Sequence, residues 1–459
     1  MPALRLPHPL VLLLACVLAA ALLTHVLTPG QYDRRDDPVT RRRVVVAGTW
    51  HGVEAAPVGP FAAFVAVPRG IIAAGEVVVL VLLVGGAWTV VDRAGTLGRM
   101  VGWLVARFGR RSHLAIVVLC LAFAAAGALE NMQEEIIPLV PVLLVLARGL
   151  GFDAVAVAAM SAGAAMVGSA FSPLNPFQAG IALTLAQLPL LSGGLLRTAM
   201  LAAALALWTW WTIRYAERNR VKAGGTGEAP EAVGTGVGAR AEDVEAGPGT
   251  SDRRHGVILV LVAAPFAAYV AGVMRWDWGL NELAAAFLIA GLAVGLVAGL
   301  GAKGTVDAYL EGIRSVVGAA IIVGVARAIS LVLEDGRVID TILQGLAAPL
   351  AHAPRPLAAL LMIPVHAVVH VPVPSVSGQA VLTMPVMVPL SDLLGFSRQA
   401  TVLAYQTGAG LTELWTPTNG ALMAVLLAAG APFGKWLRFA LPAVAILTVL
   451  GAAGVLAAM

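Results

Sequence analysis

The chain has 459 residues, 59% hydrophobic and 12% charged, with a mean hydropathy of +0.87 and a formal net charge of +4. Soluble domains carry about a quarter charged residues, so this composition excludes an ordinary soluble globular protein. A net charge this small reads as loop charge that orients a membrane protein rather than as a footprint for nucleic acid.

Apolar runs such as "LVLLLACVLAAALLTHVL", "LRTAMLAAALALWTWWTI" and "GVILVLVAAPFAAYVAGVM" recur along the chain. Each is long enough to cross a bilayer core. Lipid offers no partners to backbone amides and carbonyls, so the spans are expected to be helical, and the alternation of a β-barrel is absent. The expectation is an all-α polytopic protein of the cytoplasmic membrane. Cys16 and Cys120 lie in apolar runs and read as small hydrophobes. Zinc-ligand spacing, a phosphate loop and a dinucleotide fingerprint are all missing, so no cofactor is expected.

In chain order, the first apolar run resembles a signal peptide but is long for one, and an uncleaved helix over about 9–28 is predicted. A polar stretch over about 28–61 follows, in which Val44, Val45 and Val46 suggest a hairpin strand. A second helix is predicted over about 71–91. "DRAGTLGRMVGWLVARFGRRSH", with Arg93, Arg99, Arg107, Arg110 and Arg111, reads as an amphipathic helix on the cytoplasmic surface. Two apolar arms around the polar tip "ENMQEE" suggest a re-entrant hairpin over about 113–148. A broken helix over about 153–189 and a helix over about 195–214 complete the first half. Residues 216–255, rich in Gly, Ala, Glu and Pro, read as a flexible linker. After an extra helix over about 256–274, a second hairpin is expected over about 357–394, with tip "PSVSGQ", and a second broken helix over 397–429.

The two halves repeat. With an offset of 244 positions, Gly151-Phe152 falls on Gly395-Phe396, Pro173 on Pro417 and Asn175 on Asn419. "SPLNPFQAG" then lies over "TPTNGALMA", and one hairpin tip over the other. The extra helix inverts the second half, so two inverted-topology repeats are predicted, at 1–215 and 256–459. With the N-terminus inside, the basic loops at Arg110, Arg214, Arg253 and Lys435 are cytoplasmic. Arg41, Arg42 and Arg43 then lie in an outer loop, against that rule.

Interrupting a helix in mid-membrane leaves amides and carbonyls without partners, at several kcal/mol each if lipid-exposed. Such breaks survive where something polar occupies them, and matching breaks in two halves point to a transporter's binding site. The candidates are Glu130, Asn131 and Glu134 of the first tip, Ser172 and Asn175 of the first break, Ser375, Ser377 and Gln379 of the second tip, and Glu413, Thr416, Thr418 and Asn419 of the second break. Carboxylates between apolar arms, including Glu135, point to an ion or amino group. Asn175 and Asn419 are expected near any coupling Na⁺, with H⁺ as the other coupling ion. His366 and His370 are four residues apart, but with no third ligand in sight they read as packing histidines, and no metal site is expected. Trp208, Trp210 and Trp211 read as an interfacial belt. The scarcity of Lys and Arg beside the breaks argues against a doubly charged anion as substrate.

"PSVSGQAVLTMPVMVPLSDLLGFSRQATVLAYQTGAGLTELWTPTNGALMAVL", "VVAGTWHGVE" and "ENMQEEIIPLVPVLL" resemble YfcC-type permeases, a group of amino-acid carriers placed with the DcuC-like C4-dicarboxylate carriers in the ion-transporter superfamily. The resemblance spans nearly the whole chain outside the linker. It implies an elevator-type homodimer with a scaffold and a mobile transport domain, and a substrate site built from both tips and both breaks. The chain departs from the family at Thr418-Asn419-Gly420, where Ser-Gly follows Pro-Thr, and at "GAGLTELW". The expected function is secondary active transport of a small carboxylate-bearing metabolite, an amino acid first and a C4-dicarboxylate or short-chain acid second. A channel or sensor would need a continuous polar pore, whereas polarity here gathers at two points. No nucleophile elbow or triad spacing suggests an enzyme.

Overall fold

The computed structural model describes residues 7–96, 99, 112–221, 252–276 and 278–459. Most of the expected surface helix, at 97, 98 and 100–111, and most of the linker lie outside the described residues.

The elements run α1 (Pro9–Val26), β1 (Gly30–Gln31), β2 (Arg34–Asp37), β3 (Arg42–Val45), β4 (His51–Gly52), α2 (Pro60–Ala73) and α3 (Gly75–Arg93). Then come α4 (Ser112–Glu130), a 3₁₀ turn (Glu134–Leu139), α5 (Val140–Leu150), α6 (Ala154–Ala158), α7 (Ala164–Phe171), α8 (Ile181–Leu185) and α9 (Gly194–Arg218). The second half has α10 (Asp252–Trp276), α11 (Leu280–Val297), α12 (Gly301–Asp335), α13 (Ile339–Ala347), α14 (Arg355–His370), α15 (Val376–Leu394), α16 (Arg398–Thr412), α17 (Gly420–Ala429) and α18 (Phe433–Ala457). Among the described residues, seven helical segments are long and apolar enough to cross a membrane.

Helices flank both polar tips, over 112–150 and 355–394, the helical runs are interrupted at 172–175 and 413–419, and the two halves use the same local devices. Gly151 and Gly395 take left-handed φ of 78° and 73°, conformations that cost glycine little, and each ends a hairpin arm. Asp153 and Ser397 then cap α6 and α16 through the amides of Ala156 and Ala400. After the breaks, the Asn175 side chain caps the helix that restarts at Pro176, and the Asn419 side chain caps α17. The matched asparagines are therefore N-caps of the second arms.

Three differences from expectation have local causes. α2 was not foreseen, because Pro68 and Gly70 sit inside it; Pro60 at its first turn suits a helix start. Gly70 lies against the backbone of Gly324 and Ala328 in α12. Second, the arm before the first break contains a π-segment, Ala159–Gly163. Third, Trp208 is not part of an interfacial belt: it is fully buried, and its indole N–H donates to the Ala159 carbonyl at 2.9 Å. It thus serves a carbonyl at that irregularity, while Trp210 is half exposed beside Arg214. The strand expected near Val44 is β3, paired antiparallel with β2.

α12 packs on α1, α2, α3 and α17, while α4 packs on α7 and α14 on α16. Residues Ala124, Gly127, Ala165 and Gly168 bring α4 and α7 into backbone contact, as small residues do between membrane helices. A Cβ on Gly168 would overlap the backbone of Ala124, whereas one on Gly345 meets open space. Gly168→Ala is accordingly expected to lower stability by about 1–3 kcal/mol, the cost of overpacking. Gly345→Ala should be neutral or stabilising, and thermal unfolding of both variants in detergent checks the contrast.

Candidate functional site

A cavity of about 1240 Å³ opens beside the β-strands, and both hairpin tips and the second break reach it. Glu130, Asn131, Gln133, Glu134 and Glu135 line it from the first tip, Ser375, Ser377 and Gly378 from the second, and Glu413, Thr418 and Asn419 from the second break. Ser172, Asn175, Gln379 and Thr416 do not line it, contrary to expectation. They are fully buried behind the lining.

Their burial has a clear purpose. The Ser172 hydroxyl donates to the Ala128 carbonyl at 2.6 Å and accepts from the amides of Leu174 and Asn175 at 2.9 Å each. Asn175 Nδ2 donates to the Gly127 carbonyl at 3.0 Å and reaches Asn131 Oδ1 at 3.3 Å. Its Oδ1 accepts from the amides of Phe177 and Gln178. The first break is thus stitched to the end of α4 and to the tip. Asn131, held in the left-handed region at φ 54°, also contacts Ser169. Gln379 Nε2 donates to the His366 carbonyl at 2.8 Å, and its Oε1 lies 2.7 Å from His370 Nδ1. The hydroxyls of Thr416 and Thr418 pair at 2.7 Å.

Glu413 is the meeting point. It is 5% exposed and accepts a hydrogen bond from Gln133 Nε2. His370 Nε2 lies 3.8 Å from its other oxygen, and Asn419 Nδ2 donates to its carbonyl at 3.2 Å. The first tip, through Gln133, and the first arm of the second hairpin, through His370, therefore meet at the Glu413 carboxylate of the second break. The histidines behave as packing residues on their Nδ1 side, yet His370 also faces this carboxylate. The sequence reading missed Gln133, Gln178 and Gln406, and took His370 for a packing residue alone. Gln178 donates to the Gln406 carbonyl, and Gln406 donates to that of Ser172 at 3.0 Å, joining the first break to α16. A glutamine inside an otherwise apolar helix was the available signal.

Arg34, Arg42, Arg43 and Arg327 also line the cavity. This corrects the expectation that cations are scarce at the site, which rested on distance along the chain. The β2–β3 hairpin carries three of them across, with Val44 and Val45 buried and β3 packed on α15. Asp340 of α13, 3% exposed, holds the base of this hairpin through the Tyr32 amide and the Arg34 guanidinium, each at 2.9 Å. Burial, and then the Asp340 charge, pushes the Tyr32 phenol up to about 12, so it stays protonated and donates to Gln344. Arg42 and Arg43 have no carboxylate partner among the described residues.

Removing the amide of Gln133 leaves Glu413 buried without its nearest donor, at a cost of about 1–3 kcal/mol. Gln133→Ala is expected to cut transport by about five- to 150-fold, the equivalent of that free energy, while Gln133→Asn, with a shorter amide, recovers part of it. Uptake into proteoliposomes measures both.

The family described as C4-dicarboxylate anaerobic carrier, DcuC, matches residues 6–459. The chain is 28% identical, over 99% of its length and 96% of the relative's, to an Escherichia coli strain K12 protein named "Putative basic amino acid antiporter YfcC". It is also 28% identical to an uncharacterized protein of Haemophilus influenzae, over 90% of this chain and 81% of that one. Two solved structures are similar in outline. The Alcanivorax borkumensis YdaH transporter has a TM-score of 0.44 at 18% identity, covering 98% of both chains. Neisseria gonorrhoeae MtrF, of a class of antimetabolite efflux pumps, has a TM-score of 0.40 at 17% identity, covering 99% of this chain and 95% of its own. The chain is a multi-pass membrane transporter of the DcuC family.

Proposed function

We propose that the chain is a secondary active transporter whose substrate is an amino acid, favouring one with a cationic side chain. The observation that carries this reading is the dipolar cavity. Carboxylates of the first tip and second break, Glu130, Glu134, Glu135 and Glu413 among others, share it with the guanidinium groups of Arg42 and Arg43. Carboxylates inside a membrane protein are expensive and mark cation or amino-group sites. A guanidinium fork with no carboxylate of its own suits a substrate carboxylate. An amino acid bridges the two, its carboxylate toward Arg42, Arg43, Ser375 and Ser377, its amino groups toward Glu413 and the first tip. The name of the Escherichia coli relative points the same way.

Two inverted repeats, 1–215 and 256–459, joined by the 216–255 linker, would form this site, with α1, α2, α3, α11 and α12 as scaffold and the hairpins and broken helices as the moving part of an elevator in a homodimer. The equivalent capping at Gly151 and Gly395 and at Asn175 and Asn419 supports the repeat. Coupling to Na⁺ or H⁺, or to exchange, would act through Glu413 and the asparagine-capped breaks. A cavity rimmed by the outer β-strands corresponds to an outward-open state. The second reading is a C4-dicarboxylate carrier, favoured by the arginines and by the family's description.

Thermal unfolding of purified protein with lysine, alanine, succinate or 1,5-diaminopentane, each with and without Na⁺, separates the readings, because a ligand raises apparent stability by mass action. Lysine is expected to stabilise most, and Glu413→Gln to weaken its apparent affinity by about tenfold or more, the loss of about 1.4 kcal/mol. Stabilisation by succinate alone would favour the dicarboxylate reading. Stabilisation by the diamine equal to that by lysine would contradict a role for the arginines.

A further inference from the structure

The hydrogen bonds around Glu413 fix which nitrogen of His370 carries hydrogen. Gln379 Nε2 donates to the His366 carbonyl at 2.8 Å, so the amide oxygen of Gln379 is the atom that lies 2.7 Å from His370 Nδ1. An amide oxygen only accepts, so Nδ1 is the protonated nitrogen. In a neutral imidazole the other nitrogen, Nε2, is then a bare acceptor. His370 is fully buried, and its Nε2 has no hydrogen-bond partner among the described residues. That nitrogen lies 3.8 Å from one oxygen of Glu413, whose other oxygen accepts from Gln133.

Two buried acceptors therefore face each other with no donor between them. Leaving such a group unsatisfied is costly, and more so beside a charge. One added proton resolves the conflict from either side: a protonated Glu413 donates to Nε2, or a protonated imidazole donates to the carboxylate. Glu413 lines the transport cavity, which gives that proton a route to water. A metal cation finds less to hold it. The amide oxygen of Asn175 accepts from the amides of Phe177 and Gln178, and that of Asn419 from the amide of Leu422, so both capping asparagines are engaged by backbone.

The other titratable groups do not supply the missing donor. Glu130, Glu134 and Glu135 line the cavity from the first tip, with Glu134 within reach of the Glu413 charge. His366 of α14 and Tyr405 of α16 meet edge to face at 5.4 Å. Arg42 of β3 and Arg327 of α12 line the same cavity. α7 and α17 carry no titratable side chain, Asp392 of α15 is exposed and paired with Arg398, and Lys435 and Arg438 of α18 are exposed.

We propose that Glu413 and His370 together form the transporter's proton site. They hold a proton between the carboxylate oxygen and Nε2 when the cavity is empty, and return it to cavity water when a substrate ammonium group docks on Glu413. Only O–H and N–H bonds form and break, and the substrate's charge replaces the proton's. The exchange half rests on the amino-acid reading of the cavity, whereas the proton site does not.

Infrared difference spectra of the full-length protein in lipid, taken without substrate between about pH 5 and 9, follow the carboxyl C=O stretch. Subtracting the spectra of the isosteric Glu413→Gln variant isolates the Glu413 band from those of the first-tip glutamates. The band is expected to grow as pH falls. In His370→Gln its midpoint is expected to move at least about one pH unit lower, a tenfold loss of proton affinity, because the new amide donates to the carboxylate. Gln379→Met, which keeps the histidine but frees Nδ1, is expected to move it the same way, since the ring can then place its N–H on Nε2. It carries the comparison alone if His370→Gln does not fold. The proton site is overturned if Glu413 stays a carboxylate throughout, or if its midpoint is unchanged in the folded variants. Lysine titrations test the exchange: apparent affinity is expected to fall by up to about tenfold per unit as pH drops below the midpoint, because binding releases the proton. Equal affinity across that range overturns the exchange. Lysine that fails to bind while Glu413 titrates as expected overturns the exchange together with the amino-acid reading, and leaves the proton site standing.

Discussion

Two helices stop inside the apolar part of this molecule, and the backbone groups they release are satisfied by the protein itself. At the first break Gln406 serves the Ser172 carbonyl, Ser172 and Asn175 serve the amides of the next turn, and Asn175 also reaches the Gly127 carbonyl. At the second, Trp436 donates to the Leu414 carbonyl at 2.7 Å, and Asn419 bonds the Glu413 carbonyl while capping α17. Every other feature of the site depends on this. Without those partners each free group would cost several kcal/mol in a lipid environment, and the helices would run through. The broken geometry exists because hairpin tips, a glutamine and a tryptophan are packed where they can close it.

That constraint explains the division of labour among the polar residues. Those that complete the backbone are fully buried and turned away from the cavity, as Ser172, Asn175, Gln379 and Thr416 are. Others line the cavity: Glu413, Thr418, Ser377 and the glutamates of the first tip, together with Ser375 and Asn419, which also cap α15 and α17. The outer β-hairpin adds the opposite charge, held in place by the Asp340 contacts and by two buried valines. Acid from the membrane-embedded tips and base from an outer loop meet in one space, which is the basis for proposing a substrate that carries both charges.

Much of this was legible in the sequence. The interruption at 172–175 follows from a local rule, since Pro173 and Pro176 forbid a continuous helix, and the match of Asn175 with Asn419 follows from the offset of 244 that also aligns Gly151 with Gly395. What escaped was set by tertiary contact. Sequence order cannot show that Arg42 is carried to the cavity from some ninety residues before the first tip, or that Trp208 is needed at an irregular carbonyl of a neighbouring helix. Gln133 was visible in "ENMQEE" but overshadowed by the glutamates beside it, although its amide is the group that touches Glu413. Local chemistry identified where the helices stop, and only packing decides which polar atoms are consumed in stopping them.

The most direct test of the central claim is an experimental structure of the protein reconstituted in lipid with a saturating amino-acid ligand. The account predicts solute density bounded by Glu413, the Ser375–Ser377 tip and the first tip, with both helices interrupted at 172–175 and 413–419. Solute held elsewhere, or helices continuous through both segments, would contradict it.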